Sequence, residues 1–263
     1  SFIKSIAEQG LFPPEFPMLA GQTLYGYPFL CESVSSVFLL LGAPLKFACI
    51  LPQVVALAAV FGGGWLLAKH LLHSNTKASL AFVLFFLGSG FGFAYFLEGG
   101  FENFTRIFTA YYETPTNYVE ENIRWVNPIA DLLIPQRATL FGWALLFPCL
   151  ALLVRFALEE EYRLWPALVL LAASLPLVQT HSALALVLIC GVLFTRSLVM
   201  YRTNWKALRP WLLFAAVTAL IWLPLMLTQI LPHTQEGSGF LRWHFNWSNE
   251  GDNYFWFYIK NIG

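Results

Sequence analysis

Six apolar stretches punctuate the chain, at about residues 47–68, 79–97, 138–158, 164–179, 182–200 and 210–231. Each approaches the roughly 20 residues that an α-helix needs to cross a hydrocarbon core of ~30 Å. A further stretch, PFLCESVSSVFLLLG at 28–42, is too short to span and carries Glu32, so it reads as a helix lying at the membrane surface or dipping into it. Pro148 and Pro224 predict kinks within two spans, and Gly88, Gly90 and Gly92 predict a close approach between neighbouring helices. The pattern predicts an all-α fold, a polytopic transmembrane bundle of about six spans plus the surface helix. It forms a single transmembrane domain over 1–263, in which 1–46 is a loop with the surface helix, 47–231 holds the spans and 232–263 is a closing loop.

Composition supports this reading. The chain is 58% hydrophobic and 11% charged, with a mean hydropathy of +0.62, whereas a soluble domain carries about 25% charged residues. Net charge is zero, which gives no footprint for a nucleic-acid partner. Cys31, Cys49, Cys149 and Cys190 are isolated, with no CxxC spacing and no disulfide framework, so packing is their expected role. The chain opens at Ser1 and closes on YIKNIG, and it is expected to be an internal piece of a longer protein.

The distribution of charge sets an expected orientation. Lys69 and Lys77, then Arg155 and Arg163, then Arg196, Arg202, Lys206 and Arg209 fall in three short connections that alternate correctly with six spans, so these are expected to be cytoplasmic. Loops 1–46, 98–137 and 232–263 then share the opposite face with all acidic residues except Glu159, Glu160 and Glu161. Loops this long are where chemistry is expected.

The most informative stretch is IRWVNPIADLLIPQRATLFG at 123–142. Pro135 fits the first turn of a helix. Arg137 then sits at a membrane edge beside a helix N-terminus, where the dipole is already positive. An anion held between the two resolves the conflict, and snorkelling to lipid head groups is the alternative. Lys46 opens the first span in the same way, and the two cations are either a joint site for a lipid-linked phosphate or two independent interfacial anchors. Glu98, Glu102, Glu113, Glu120, Glu121 and Asp131 occupy the long loop, mostly as expected solvated charges. Glu120 stands four residues before Arg124, a favourable helical pair. Asp131 stands out because an unpaired charge in its apolar surroundings is expensive. His181 at an outer turn is a candidate proton carrier or a histidine bonded to the backbone. His233 and His244 lack the spacing of a zinc site, so no metal-ligand set is assigned. The aromatic segment FLRWHFNWSNEGDNYFWFYIKN suits an interfacial belt or stacking on sugar rings. Asn103-Phe104-Thr105 and Asn246-Trp247-Ser248 are sequons. No P-loop, dinucleotide fingerprint or nucleophile elbow is present.

Several pieces look familiar together: Ile3-Lys4-Ser5-Ile6-Ala7, Phe12-Pro13-Pro14-Glu15-Phe16-Pro17, Ala20-Gly21-Gln22-Thr23-Leu24-Tyr25 and Leu41-Gly42. So do the glycine-rich GSGFGF, WVNPIADLLIPQRATLFG and the His181-Ser182 turn. They resemble the first outer loop and later segments of the multi-spanning (C-type) glycosyltransferase superfamily, in a bacterial branch of large membrane proteins. Gly26-Tyr27 and Cys31-Glu32 depart from that pattern. The resemblance implies transfer of a hexosyl or pentosyl group from a polyprenyl-phosphate carrier at the outer face of a bacterial plasma membrane. It implies an acidic base or metal ligand, often with a divalent cation (Mg or Mn), and places that acid upstream of Ser1. Within this chain the candidates are Glu15, Asp131 and His181, with Arg137 and Lys46 for the phosphate. The expected partners are membrane lipid and a lipid-linked sugar. A lipid transporter or flippase and a non-catalytic membrane scaffold stay open as alternatives, although the spans hold almost none of the mid-membrane ionisable residues that ion coupling needs.

Overall fold

The structure, a computed structural model, describes the chain apart from residues 1, 12, 20, 25–28, 89, 107–108, 110–117, 124–126, 203, 231–244, 247–248 and 263, and apart from the side chains at 95, 96, 103, 104 and 106. Among the described residues the elements are helical: α1 (Phe2–Gln9), α2 (Leu30–Leu40), α3 (Leu45–Leu72), α4 (Asn75–Leu87), α5 (Gly92–Glu98), α6 (Gly100–Arg106), α7 (Arg137–Leu158), α8 (Trp165–Ala172), α9 (Leu175–Val178), α10 (Thr180–Met200), α11 (Trp205–Leu225) and α12 (Tyr254–Ile262). One isolated bridge pairs Glu15 with Thr23. The chain divides into two compact units, 1–82 with 136–236 and 83–135 with 237–263, each described by itself.

Among the described residues four helices are long and apolar enough to cross a membrane: α3, α7, α10, and α11 continued by a π-helical turn to Gln229. The other two expected spans are interrupted. α4 stops at Leu87, ahead of the glycines. The stretch 162–178 divides into a 3-10 turn (Tyr162–Leu164), α8 and the single turn α9. Pro176 explains the second break. It has no N–H to offer the carbonyl of Ala172, and Trp222 Nε1 of α11 donates to that carbonyl instead, at 2.9 Å. An orphaned carbonyl in an apolar setting is thereby satisfied from a neighbouring helix.

In the first unit α7 is the central helix. Half of its apolar window is buried, against 17–22% for the other three long helices. Leu153 and Phe156 on it pack with Leu168, Leu186 and Trp211 from α8, α10 and α11. α3 and α7 run parallel: Cys49 meets Arg137, Gly63 meets Pro148, and His70 meets Glu159 at 2.8 Å. Gly63 is required for this pairing, because a Cβ there would come within 2.5 Å of the Pro148 ring. α10 runs the same way, with Gln179 and Ser182 beside Thr139 at one end and Arg196 donating to the Ala157 carbonyl (3.4 Å) at the other. α8 and α11 run back. The basic connections therefore gather at one end of the unit, where Arg155 donates to Glu161 at 2.7 Å and Tyr201 donates to Glu160. The Arg155 bond holds the Glu161 carboxyl below its ordinary range, and the Glu160 bond pushes the Tyr201 phenol up.

The lipid-facing logic is plainest in α2. It buries Cys31, Glu32, Ser35 and Ser36 and exposes Val34, Val37 and Leu40. A helix with polar groups inward and apolar groups outward suits a membrane, where ionisable side chains face the bundle interior.

The second unit is tied together by polar contacts. Asn122 adopts a left-handed backbone (φ 53°), which asparagine tolerates. Its Nδ2 donates to Asn249 Oδ1 and Asp252 Oδ2, both at 3.0 Å, and its carbonyl accepts from Asn261 Nδ2 at 3.2 Å. Lys260 of α12, nearly buried, pairs with Asp252 and donates to the Glu121 carbonyl at 2.6 Å. These bonds, with that from Lys260 first, hold the Asp252 carboxyl below its ordinary value. Gly90 makes the close approach that its motif predicts, against the backbone carbonyls of Lys260 and Asn261 on α12.

Candidate functional site

Arg137 is the first residue of α7, with Gln136 at the N-cap and Pro135 in the turn just before it. The sequence places Pro135 inside the first helical turn; the helix starts two residues later. The anion that Arg137 needs is supplied by the protein itself. Arg137 Nε donates to Glu32 Oε1 at 3.1 Å, Nη2 to Ser35 Oγ at 2.7 Å, and Nη1 to the Cys49 carbonyl at 3.2 Å with Cys49 Sγ at 3.3 Å. The guanidinium also stands 5.5 Å from the Phe141 ring. The Arg137 and Glu32 side chains are 15% and 9% exposed, so Arg137 is not a snorkelling anchor. The Cys49 carbonyl lies within the turn of α3 that Pro52 loosens.

A second polar group continues this layer. Gln179 Nε2 donates to Thr139 Oγ1 at 2.8 Å, Thr139 Oγ1 donates to Gln136 Oε1 at 2.9 Å, and Ser182 Oγ donates to Gln179 Oε1. Gly142 leaves the room for Gln179. Beneath the polar layer lies an almost wholly apolar cavity of about 430 Å³. Cys31, Val34, Pro52, Val55, Phe141 and Ala144 are among its lining residues, and Ser174 and Val178 close it from the α8–α9 break. Cys31 adjoins Glu32 and Phe141 carries the cation contact, so cavity and ion pair share a boundary.

The other candidates fall as follows. Lys46 is exposed on the first turn of α3, one turn before Cys49. Glu15 is half-buried, and its backbone is clamped by Gln9, whose Oε1 accepts from the Glu15 N–H at 2.8 Å and whose Nε2 donates to its carbonyl. His181 is exposed at the start of α10. Asp131 belongs to the second unit, where its Oδ2 accepts from the Asn127 N–H at 2.8 Å. Glu98, Glu102, Glu120 and Glu121 are exposed. Glu113, the Glu120–Arg124 pairing, His233, His244, residues 247–248 of the second sequon and much of the aromatic segment lie outside the described residues, while the first sequon falls in α6, where the side chains at 103 and 104 are not described. Of that segment, Tyr254 stacks on Phe245 at 5.3 Å. Among the described residues no group of three or more His, Cys, Asp or Glu side chains could hold a metal ion. The divalent cation that the resemblance implies therefore has no fitting ligand set in them, and no step is routed through one.

Sequence reasoning missed Ser35, Cys49, Gln179 and Asn127. Asn127 caps a π-helical turn (Pro128–Leu133) by accepting from Ile129 N and Ala130 N, while its Nδ2 donates to the Phe86 and Gly88 carbonyls at the end of α4. The dipeptide Asn127-Pro128, a helix cap followed by proline at the first helical position, is the signal that finds it.

Fold and site together define an all-helical membrane protein with a buried charge pair above an apolar cavity. Comparison of the chain with family models, with curated proteins and with solved structures gives no match.

Proposed function

We propose that the protein is a membrane-embedded, glycosyltransferase-like protein that binds a polyprenyl-phosphate-linked sugar, with the Arg137 end of its helices on the non-cytoplasmic side of a bacterial plasma membrane. The observation that carries this reading is the apolar cavity bounded by the Glu32–Arg137 pair. An isoprenoid chain fits such a lining, and its phosphate is then directed to the edge where the cations stand. Lys46, exposed and unburdened by a helix-capping role, meets the phosphate first. Arg137 is already neutralised, so a phosphate there competes with Glu32. Transfer itself is displacement at the anomeric carbon: an acceptor hydroxyl oxygen bonds to that carbon and gives its proton to a base as the bond to the carrier phosphate breaks and the phosphate leaves. The base that the resemblance implies lies upstream of Ser1; within the first unit Glu15 and His181 are the candidates to be substituted, and Asp131 is a candidate of the second unit taken by itself.

A second reading is a lipid-binding protein without transfer chemistry. It is favoured by the self-contained hydrogen bonding of Arg137, which needs no ligand to be satisfied.

The test is titration of polyprenyl phosphate onto the protein in neutral nanodiscs, comparing wild type with Ala144→Trp, which fills the cavity, and with Lys46→Gln. Saturable binding that is lost in the first and weakened about fivefold in the second, the scale of one exposed charge, supports the carrier site. Binding indifferent to Ala144→Trp overturns it. Sugar release from a loaded carrier then separates transfer from binding alone.

A further inference from the structure

At the opposite end of the first unit lies a second cavity, of about 480 Å³, with a different character. Its walls are Tyr162, Arg163 and Trp165 at the start of α8, and Trp205, Lys206 and Arg209 at the start of α11, with Pro210 and Leu213 as its floor. Three cationic side chains border one concave space, and no carboxylate is among its lining residues. The nearest carboxylate recorded for any of them is Glu161, 3.9 Å from Arg163 Nη2, and Glu161 is already held by Arg155 at 2.7 Å. Arg163 is 86% exposed, so its guanidinium is available to a ligand.

The three charges also lie close to the beginnings of two helices, where backbone dipoles add positive potential to the positive side chains. The protein thus sets three like charges around one space with a single carboxylate at 3.9 Å, itself shared with Arg155, in contrast to the closely paired Arg137. Two indoles border the same space, the side chain favoured at the boundary between hydrocarbon and head groups. Below them Pro210 and Leu213 lead onto the apolar surface of α11.

We infer that this cavity binds the phosphate head group of an anionic membrane phospholipid. The phosphate oxygens accept from Arg163, Lys206 and Arg209, the indoles flank the glycerol region, and an acyl chain follows Leu213 along α11. Charge complementarity selects an anion, and the apolar floor selects a lipid over a soluble phosphate. This site lies away from the proposed carrier site and does not depend on it.

The test uses the full chain in nanodiscs that mix phosphatidylcholine with phosphatidylglycerol, followed by native mass spectrometry of retained lipid. Wild type is compared with Arg163→Gln/Lys206→Gln/Arg209→Gln and with Arg202→Gln, an exposed cation of the same connection outside the cavity. The expected result is preferential retention of phosphatidylglycerol, reduced about tenfold or more in the triple variant and unchanged in Arg202→Gln. Equal loss in both variants overturns the proposal, because diffuse basic charge then explains the retention. Equal retention of the two lipids overturns it as well. Displacement of the lipid by an equal concentration of inorganic phosphate overturns the choice of a lipid as occupant.

Discussion

Arg137 Nε and Glu32 Oε1 stand 3.1 Å apart, joining residues 105 positions distant in sequence, and both side chains are largely shielded from solvent. Such a pair contributes little net stability when intact, because desolvation offsets attraction, yet losing one partner strands the other. Arg137→Met or Glu32→Gln alone is therefore expected to cost about 3–5 kcal/mol. The double variant should cost clearly less than the sum. Thermal unfolding in detergent across the four proteins measures the coupling, and additive losses would sink the idea of a paired site.

Gly63 and Pro148 give a steric test of the α3–α7 pairing. Gly63→Leu is expected to destabilise by about 1–3 kcal/mol through overpacking. Gly62, beside it, has open space where a Cβ would go. Gly62→Ala is expected to be neutral or to stabilise by about 0.5–1 kcal/mol, since alanine loses less backbone freedom in a helix. Unfolding curves in the same detergent should separate the two, and equal losses would argue against the close approach.

Trp222 and the Ala172 carbonyl supply a third. Trp222→Phe keeps most of the ring and removes the donor, leaving a carbonyl that Pro176 already denies its helical partner. The expected loss is about 1–3 kcal/mol, the scale for a buried unsatisfied group. The infrared amide I band of the variant should show a carbonyl shifted toward the non-bonded frequency, and an unchanged band would exclude the contact.

The Asp252–Lys260 contact makes the second unit sensitive to acid. Lys260, followed by Asn122, holds the Asp252 carboxyl below its ordinary value of 3.8. A carboxyl lowered in the folded state adds stability that is fully present above that ordinary value and is lost as pH falls through the lower folded one. Hydrogen exchange in 118–123 and 249–262, taken relative to the intrinsic rate at each pH, should accelerate below about pH 4 in wild type. In Asp252→Asn it should already be fast at neutral pH, with a flatter pH profile.

The long spans were legible because a continuous apolar run of about 20 residues has few other uses. Runs of the same hydropathy at 79–97 and 164–179 predict spans too, and there local backbone chemistry decides the outcome. α4 ends at Leu87, ahead of the glycines, and Gly90 makes the expected close approach to a helix, with α12 as the partner. Pro176 divides α8 from α9, which hydropathy cannot register. Arg137 was legible as a cation in need of an anion. Glu32 was visible in its short helix, but their union was not, because a contact across 105 residues leaves no periodic trace. Asp131 and His181 were drawn from residue type and local setting alone, and the fold leaves Asp131 on the Asn127 N–H and His181 exposed.

The Trp222–Ala172 bond also bears on biosynthesis. The carbonyl emerges from the ribosome 50 residues ahead of the indole that completes it. Until that indole arrives, the broken α8–α9 segment has an open acceptor that hydrocarbon cannot satisfy. The segment is therefore not a finished insertion unit when it is made. Its insertion is expected to be completed only when α11 follows and supplies the donor.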